Sequence, residues 1–138
     1  MKKVLLVLVI AALAGAGGAF YFIQKEAKAE TDAPLTADEI VELSIDTEAI
    51  TTNLATPSSY AVVQFNILLG DKKIKEEMEK RHPEIRAAAI ATVAGMEKDE
   101  LIGAEGITLL QDEMTAQLQE LVGKGKVERV LVTEFKVQ

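Results

Sequence analysis

The chain has 138 residues, 15 basic, 22 acidic and no cysteine, which excludes a disulfide framework, a thiolate nucleophile and a cysteine-rich zinc site. All the acids follow residue 23, against thirteen bases in the same stretch, so that stretch carries a net charge of −9 and is repelled by nucleic acid and by anionic lipid surfaces alike. The length allows one ordinary domain after an N-terminal segment, and with only Tyr60, Phe65 and Phe135 as its aromatic residues the core of that domain must be mostly aliphatic.

Val4 to Ile23 is an uncharged run of twenty residues; at about 1.5 Å of rise per residue it makes roughly 30 Å of helix, the hydrocarbon thickness of a bilayer. It predicts a transmembrane anchor over residues 1–23, with a short cytoplasmic tail. Val4 to Ile10 is bulky, whereas Ala11 to Ala19 is almost wholly alanine and glycine. Ala11, Gly15 and Ala19 recur at the spacing that lets transmembrane helices approach closely, as do Ala14 and Gly18, and they are the candidate helix-packing positions. The plainer reading is an alanine-rich tether. Phe20, Tyr21 and Phe22 fit an aromatic belt at the headgroups. Lys2 and Lys3 set against Lys25 and Lys28 give a narrow charge margin, and a two-residue tail favours the amino terminus inside and the domain outside. Ala27-Lys28-Ala29 offers the pattern of a signal cleavage site, but the apolar run is longer than a signal core and Lys25 and Glu26 intervene, so retention is the reading adopted.

Residues 24–36 are polar and small, with Pro34 and no apolar period, and read as a linker. The domain then spans 37–138. Val41, Leu43 and Ile45 alternate with Glu42, Ser44 and Asp46, predicting a first strand that Ile50 and Leu54 extend. Thr56 to Ser59 supply a turn, and Tyr60 to Leu69 is a second strand, apolar on both faces, that pairs with the first as a hairpin. Asp71 caps a helix over Lys72 to Arg81 in which Ile74 and Met78 form a narrow apolar stripe. Pro83 suits the first turn of a second helix with Ile85, Ala89, Val93 and Met96 inward and Gly95 near its end. A third helix begins near Gly103 and Glu105, where Ile107, Leu110, Met114, Leu118 and Leu121 recur at three- and four-residue steps. Gly123 and Gly125 end it, and Val127 to Val137 is a closing strand. The order predicts an α+β domain with helices on one face of a small, mainly antiparallel sheet.

Reactive chemistry finds little support. His82, the only histidine, sits between Arg81 and Pro83 in a charged stretch and reads as solvated; without a second imidazole there is no zinc pair, and no triad beyond one recruiting this ring. Gly123-Lys124-Gly125-Lys126 has Glu120 where a phosphate loop needs its first glycine and Val127 where it needs the hydroxyl, so it reads as a turn. Glu76, Glu77, Glu79, Asp99, Glu100, Asp112 and Glu113 lack the spacing and central glycine of an EF-hand and read as solvated helix faces. A pair of acids brought together by the fold is left open. The residues point to an interaction or scaffolding module rather than an enzyme.

Several short segments then occur in one order along the chain: Thr52-Asn53-Leu54-Ala55 after the first strand, His82-Pro83-Glu84-Ile85-Arg86-Ala87-Ala88-Ala89-Ile90 opening a helix, Leu101 with Glu105-Gly106 and Leu109 or Leu110, and the ending Gly125-Lys126-Val127 through Val130, Thr133-Glu134-Phe135 and Gln138. In this order the chain resembles the FliL family of flagellar basal-body-associated inner-membrane proteins. It departs from the family at Ala87, where an aspartate is usual, at Gln117 and Gln119, which flank a frequent asparagine, and at Leu131, in place of an aromatic residue. The resemblance implies a periplasmic domain of stomatin-like (SPFH-like) fold. It also implies self-association into a ring around the flagellar stator units, support for swimming or swarming, and no cofactor, metal or small-molecule substrate. The competing expectations are a secreted or anchored binding module unrelated to flagella, whose mature form would begin after Ala29, and an envelope enzyme built on converging carboxylates.

Overall fold

A computed structural model describes residues 33–138. Its compact unit, Ala37–Gln138, is an α+β domain. The expected anchor over 1–23, the linker up to residue 32 and the packing positions Ala11, Gly15 and Ala19 lie outside the described residues, among which no helix is long and apolar enough to cross a membrane.

The first expected strand is corrected at its start. Ala37–Leu43 forms a short helix, α1, and the strand β1 begins only at Ser44 and runs to Asp46. The alternation of Val41, Leu43 and Ile45 is therefore split between two elements. Asp38 and Glu39 lie in the first turn of α1, where the helix dipole favours acids, and Val41, which a half-buried strand would have covered, is 74% exposed. Strand β2, Ile50–Asn53, continues along the same side of β3, Tyr60–Leu69. The registers Asp46 with Asn66 and Ile50 with Val63 set three residues against two, so Thr47 to Ala49 form a bulge with one extra residue.

Strand β3 is the spine of the sheet. It pairs antiparallel with β1 and β2 on one side and with β4, Val127–Val137, on the other. Ala61, Val63, Phe65, Ile67 and Leu69 point to one face and are completely buried. In β4 the residues on that face are Val127, Val130, Val132, Phe135 and Val137, at steps of three, two, three and two. The two steps of three are bulges at Glu128 and Thr133, each of which inserts one residue opposite β3 and restores the apolar alternation.

Three longer helices cover that face. Asp71 caps α2, Lys72–Lys80, its side chain accepting the Ile74 N–H at 2.8 Å. Helix α3, His82–Ala94, starts with Pro83 in its first turn and buries Ile85, Ala89 and Val93. A 3₁₀ turn over Lys98–Leu101, not anticipated from the sequence, leads into α4, Gly103–Val122, which buries Gly106, Leu110, Met114, Leu118 and Val122. These side chains join Ile45, Ile50 and the inward residues of β3 and β4 in one aliphatic core. The opposite sheet face carries Tyr60, Val62, Gln64 and Asn66 beside Lys136, Glu134 and Leu131.

Candidate functional site

A concavity of about 370 Å³ lies between α3 and α4. It follows from a mismatch of side-chain size. On its α4 side stand Leu109, Glu113 and Gln117, one turn apart on one stripe; on its α3 side stand Ala91, Thr92 and Gly95, too small to meet them. Met96 and Glu100 close one end. Leu109 is 37% exposed, an apolar side chain held in water on a wall otherwise lined by amide and carboxylate.

The groove does bring two acids to one cleft. Both are exposed, and Glu100 Oε2 accepts the Glu97 N–H at 2.8 Å as half of a capping box that starts the 3₁₀ turn. Neither acid has the enclosed, differently solvated setting that acid–base pairs require. Among the described residues no group of three or more acids or histidines could hold a metal, and the buried side-chain polar atom left without a partner is the Ser44 hydroxyl. His82 is half-buried rather than free in solvent. It opens α3 and borders a crevice of about 10 Å³ with Thr47, Glu48, Ile50, Ile85 and Arg86, room for about one water. The Gly123–Lys126 segment is a turn between α4 and β4, with Gly123 at φ 105° and Gly125 at φ 78°, backbone that glycine adopts without strain. The acidic residues singled out from the sequence stand exposed on helix surfaces and the 3₁₀ turn, except half-buried Glu77, which pairs with Arg81 at 3.3 Å.

The ordered segments of the sequence have structural duties. Leu54 is buried, and its N–H donates to Ser59 O across the β2–β3 loop; the Ala55 N–H donates to Met96 O at 3.0 Å. Thr56 adds its hydroxyl, which donates to Glu97 and accepts the Lys98 N–H. The loop after β2 is thereby fastened to the end of α3. Gly106 is where the 3₁₀ turn crosses α4: a Cβ there would stand 2.5 Å from the Leu101 carbonyl carbon and 2.6 Å from Glu100 O. At the other end, Tyr60 and Gln138 exchange both backbone hydrogen bonds at 2.9 Å, and the Tyr60 hydroxyl donates to Gln138 Oε1 at 2.6 Å. These residues hold loops, a crossing and the last strand in place; they converge on no reactive centre.

A family model described as flagellar basal body-associated protein FliL matches residues 44–138. The chain is 33% identical over 124 residues to the flagellar protein FliL of Bacillus subtilis (strain 168), a match covering 88% of this chain and 86% of that protein. It is 31% identical over 88 residues to the flagellar protein FliL of Aquifex aeolicus (strain VF5), covering 62% of this chain and 55% of that protein.

Proposed function

The chain belongs to the FliL family of flagellar basal-body-associated proteins, and from that premise we propose that it is a non-enzymatic, single-pass membrane scaffold that gathers around the stator units of the flagellar motor and promotes swimming or swarming. The observation that carries the reading is the family match across nearly all of a domain in which the residues that carry the resemblance, Leu54, Gly106 and Gln138 among them, serve its architecture. In this reading residues 1–23 are a cytoplasmic tail and transmembrane helix, 24–36 a linker, and 37–138 a periplasmic, SPFH-like domain that forms a homo-oligomeric ring. The uncharged run Val4 to Ile23 supports the anchor. The Bacillus match covers more of the chain than residues 44–138 alone, which supports treating the N-terminal segment as part of the same architecture.

Deleting the gene should impair swimming or swarming, and stator subunits should travel with the tagged full chain from solubilised membranes. Normal motility together with an absence of stator subunits in the purified material would overturn the assignment. Within the anchor, Ala11, Gly15 and Ala19 are the positions proposed to pack against neighbouring transmembrane helices. Gly15→Leu should then weaken assembly without altering membrane insertion, and unchanged assembly would reduce the segment to a tether.

A further inference from the structure

We propose that the groove between α3 and α4 docks a helical segment of a partner protein, apolar along one stripe and basic at its flanks. Three observations favour that occupant. Helix α3 has no charged residue from Ala87 to Ala94, and Ala91 stands exposed on its groove wall, whereas the solvent side of a helix in a small domain is ordinarily charged. Leu109 lies uncovered on the opposite wall, so an apolar stripe laid in the groove would remove both surfaces from water. Charge selects the flanks. Helix α4 contains no lysine or arginine, and among the described residues no cation lies within ion-pair distance of Glu105, Glu113 or Glu120. A basic segment is attracted to this wall and an acidic one repelled.

The test uses the full chain in zwitterionic phosphatidylcholine nanodiscs, with empty discs as the reference, and fluorescence anisotropy of a labelled helical peptide of about 18 residues, leucine at the i, i+3, i+4, i+7 positions and lysine elsewhere. The peptide should bind, and the same peptide with glutamate for lysine should not. Glu113 lines the groove and its neighbour Asp112 does not. Glu113→Lys should therefore weaken binding about tenfold, whereas Asp112→Lys, an identical change of charge one residue away, should change it less than about twofold. Ala91→Trp, which fills the groove, should also weaken binding about tenfold, with the midpoint of thermal unfolding confirming that each variant is folded. If the tryptophan variant does not fold, the pair of lysine variants decides. Equal losses at Glu113 and Asp112 would show attraction to net charge alone, and would overturn the proposal. A groove variant that changes the sedimentation of the protein without peptide would assign the groove to a second copy, and would overturn it too. No readout involves motility, so failure here leaves the family-based function intact.

Discussion

At the scale of single residues, the fold depends on two places where a side chain, or the lack of one, replaces regular backbone. In the bulge between β1 and β2 the Thr47 N–H donates to Phe65 O at 2.9 Å, the Thr47 hydroxyl accepts the Phe65 N–H at 3.0 Å, and the Gln64 side chain donates to Thr47 O at 2.8 Å. The hydroxyl thus stands where a ladder carbonyl would be, and the site is buried. Thr47→Val keeps the shape and leaves the Phe65 N–H unpartnered, so urea unfolding should show a loss of about 1–3 kcal/mol, with Thr47→Ser recovering most of it. Gly106 is the converse case. Its Cβ would meet backbone rather than the end of a flexible side chain, so Gly106→Ala must push the 3₁₀ turn away from α4 at a cost of about 1–3 kcal/mol, the range for overpacked sites. The gain in helix propensity from glycine to alanine, about 1 kcal/mol, partly offsets that cost; a variant as stable as the parent or more so would show that the turn yields freely. Neither role is legible in the sequence. Thr47 falls in no motif there, and Gly106 enters only within the Glu105-Gly106 segment that resembles the family, because each acts on a segment distant from itself or on backbone geometry that period alone does not encode.

Between elements, Arg81 is the main polar junction. It lies between α2 and α3, pairs with Glu77 at 3.3 Å and Glu84 at 3.8 Å, and donates from Nη1 to Leu121 O at 3.1 Å near the C-terminus of α4. A guanidinium there satisfies a carbonyl that the helix itself leaves open and matches the negative end of its dipole. Arg81→Met should retain the packing of the stem and lose that bond, speeding amide exchange in the last turn of α4 while leaving the centre of β3 at parental protection; unchanged exchange at Leu121 and Val122 would deny the cap. A second link joins α1 to α2. Lys72 Nζ lies 2.7 Å from Glu42 Oε2, and the hydrogen bond and charge of Glu42 raise the Lys72 pKa above its ordinary 10.5. Because the folded value is the higher one, whatever the pair contributes is fully present below the ordinary lysine range and is lost as pH rises through the raised value. Glu42→Gln should therefore return the Lys72 titration, followed by carbon-13 NMR at Cε, to a lower pH. The elements that periodicity revealed are those with long apolar stripes. Tyr60 to Leu69 and Val127 to Val137 match β3 and β4 at both ends, and Ile85, Ala89, Val93, Leu110, Met114 and Leu118 are all buried as expected. Periodicity misled at Val41 and Leu43, where seven residues of α1 bury no side chain and so leave no stripe to recognise. The α3–α4 groove was readable only in part. The uncharged stretch from Ala87 to Ala94 is visible in the chain, but the apposition of its Ala91 and Thr92 to Leu109 and Glu113 is a product of tertiary packing.

For the molecule as a whole, the division at Thr36 and Ala37 has a direct consequence. Every buried apolar side chain of the described core lies between Ile45 and Val130, the sheet is complete within Ser44 to Val137, and α1 is held to α2 by a pair internal to that range, Glu42 with Lys72. A segment comprising residues 37–138 therefore carries its own core, near the size at which single domains fold alone. Produced without residues 1–36, it should unfold in one cooperative transition with coincident far-ultraviolet circular dichroism and Tyr60 fluorescence signals. Its net charge is strongly negative, and it lacks the uncharged run from Val4 to Ile23. It should therefore stay in the supernatant when membranes are sedimented, while the full chain sediments with them and resists a high-salt wash, because apolar insertion, unlike surface attraction, is not screened. A truncated domain that aggregates or unfolds without cooperativity would show that the first 36 residues complete the core, and a full chain released by salt would remove the anchor from the proposed architecture.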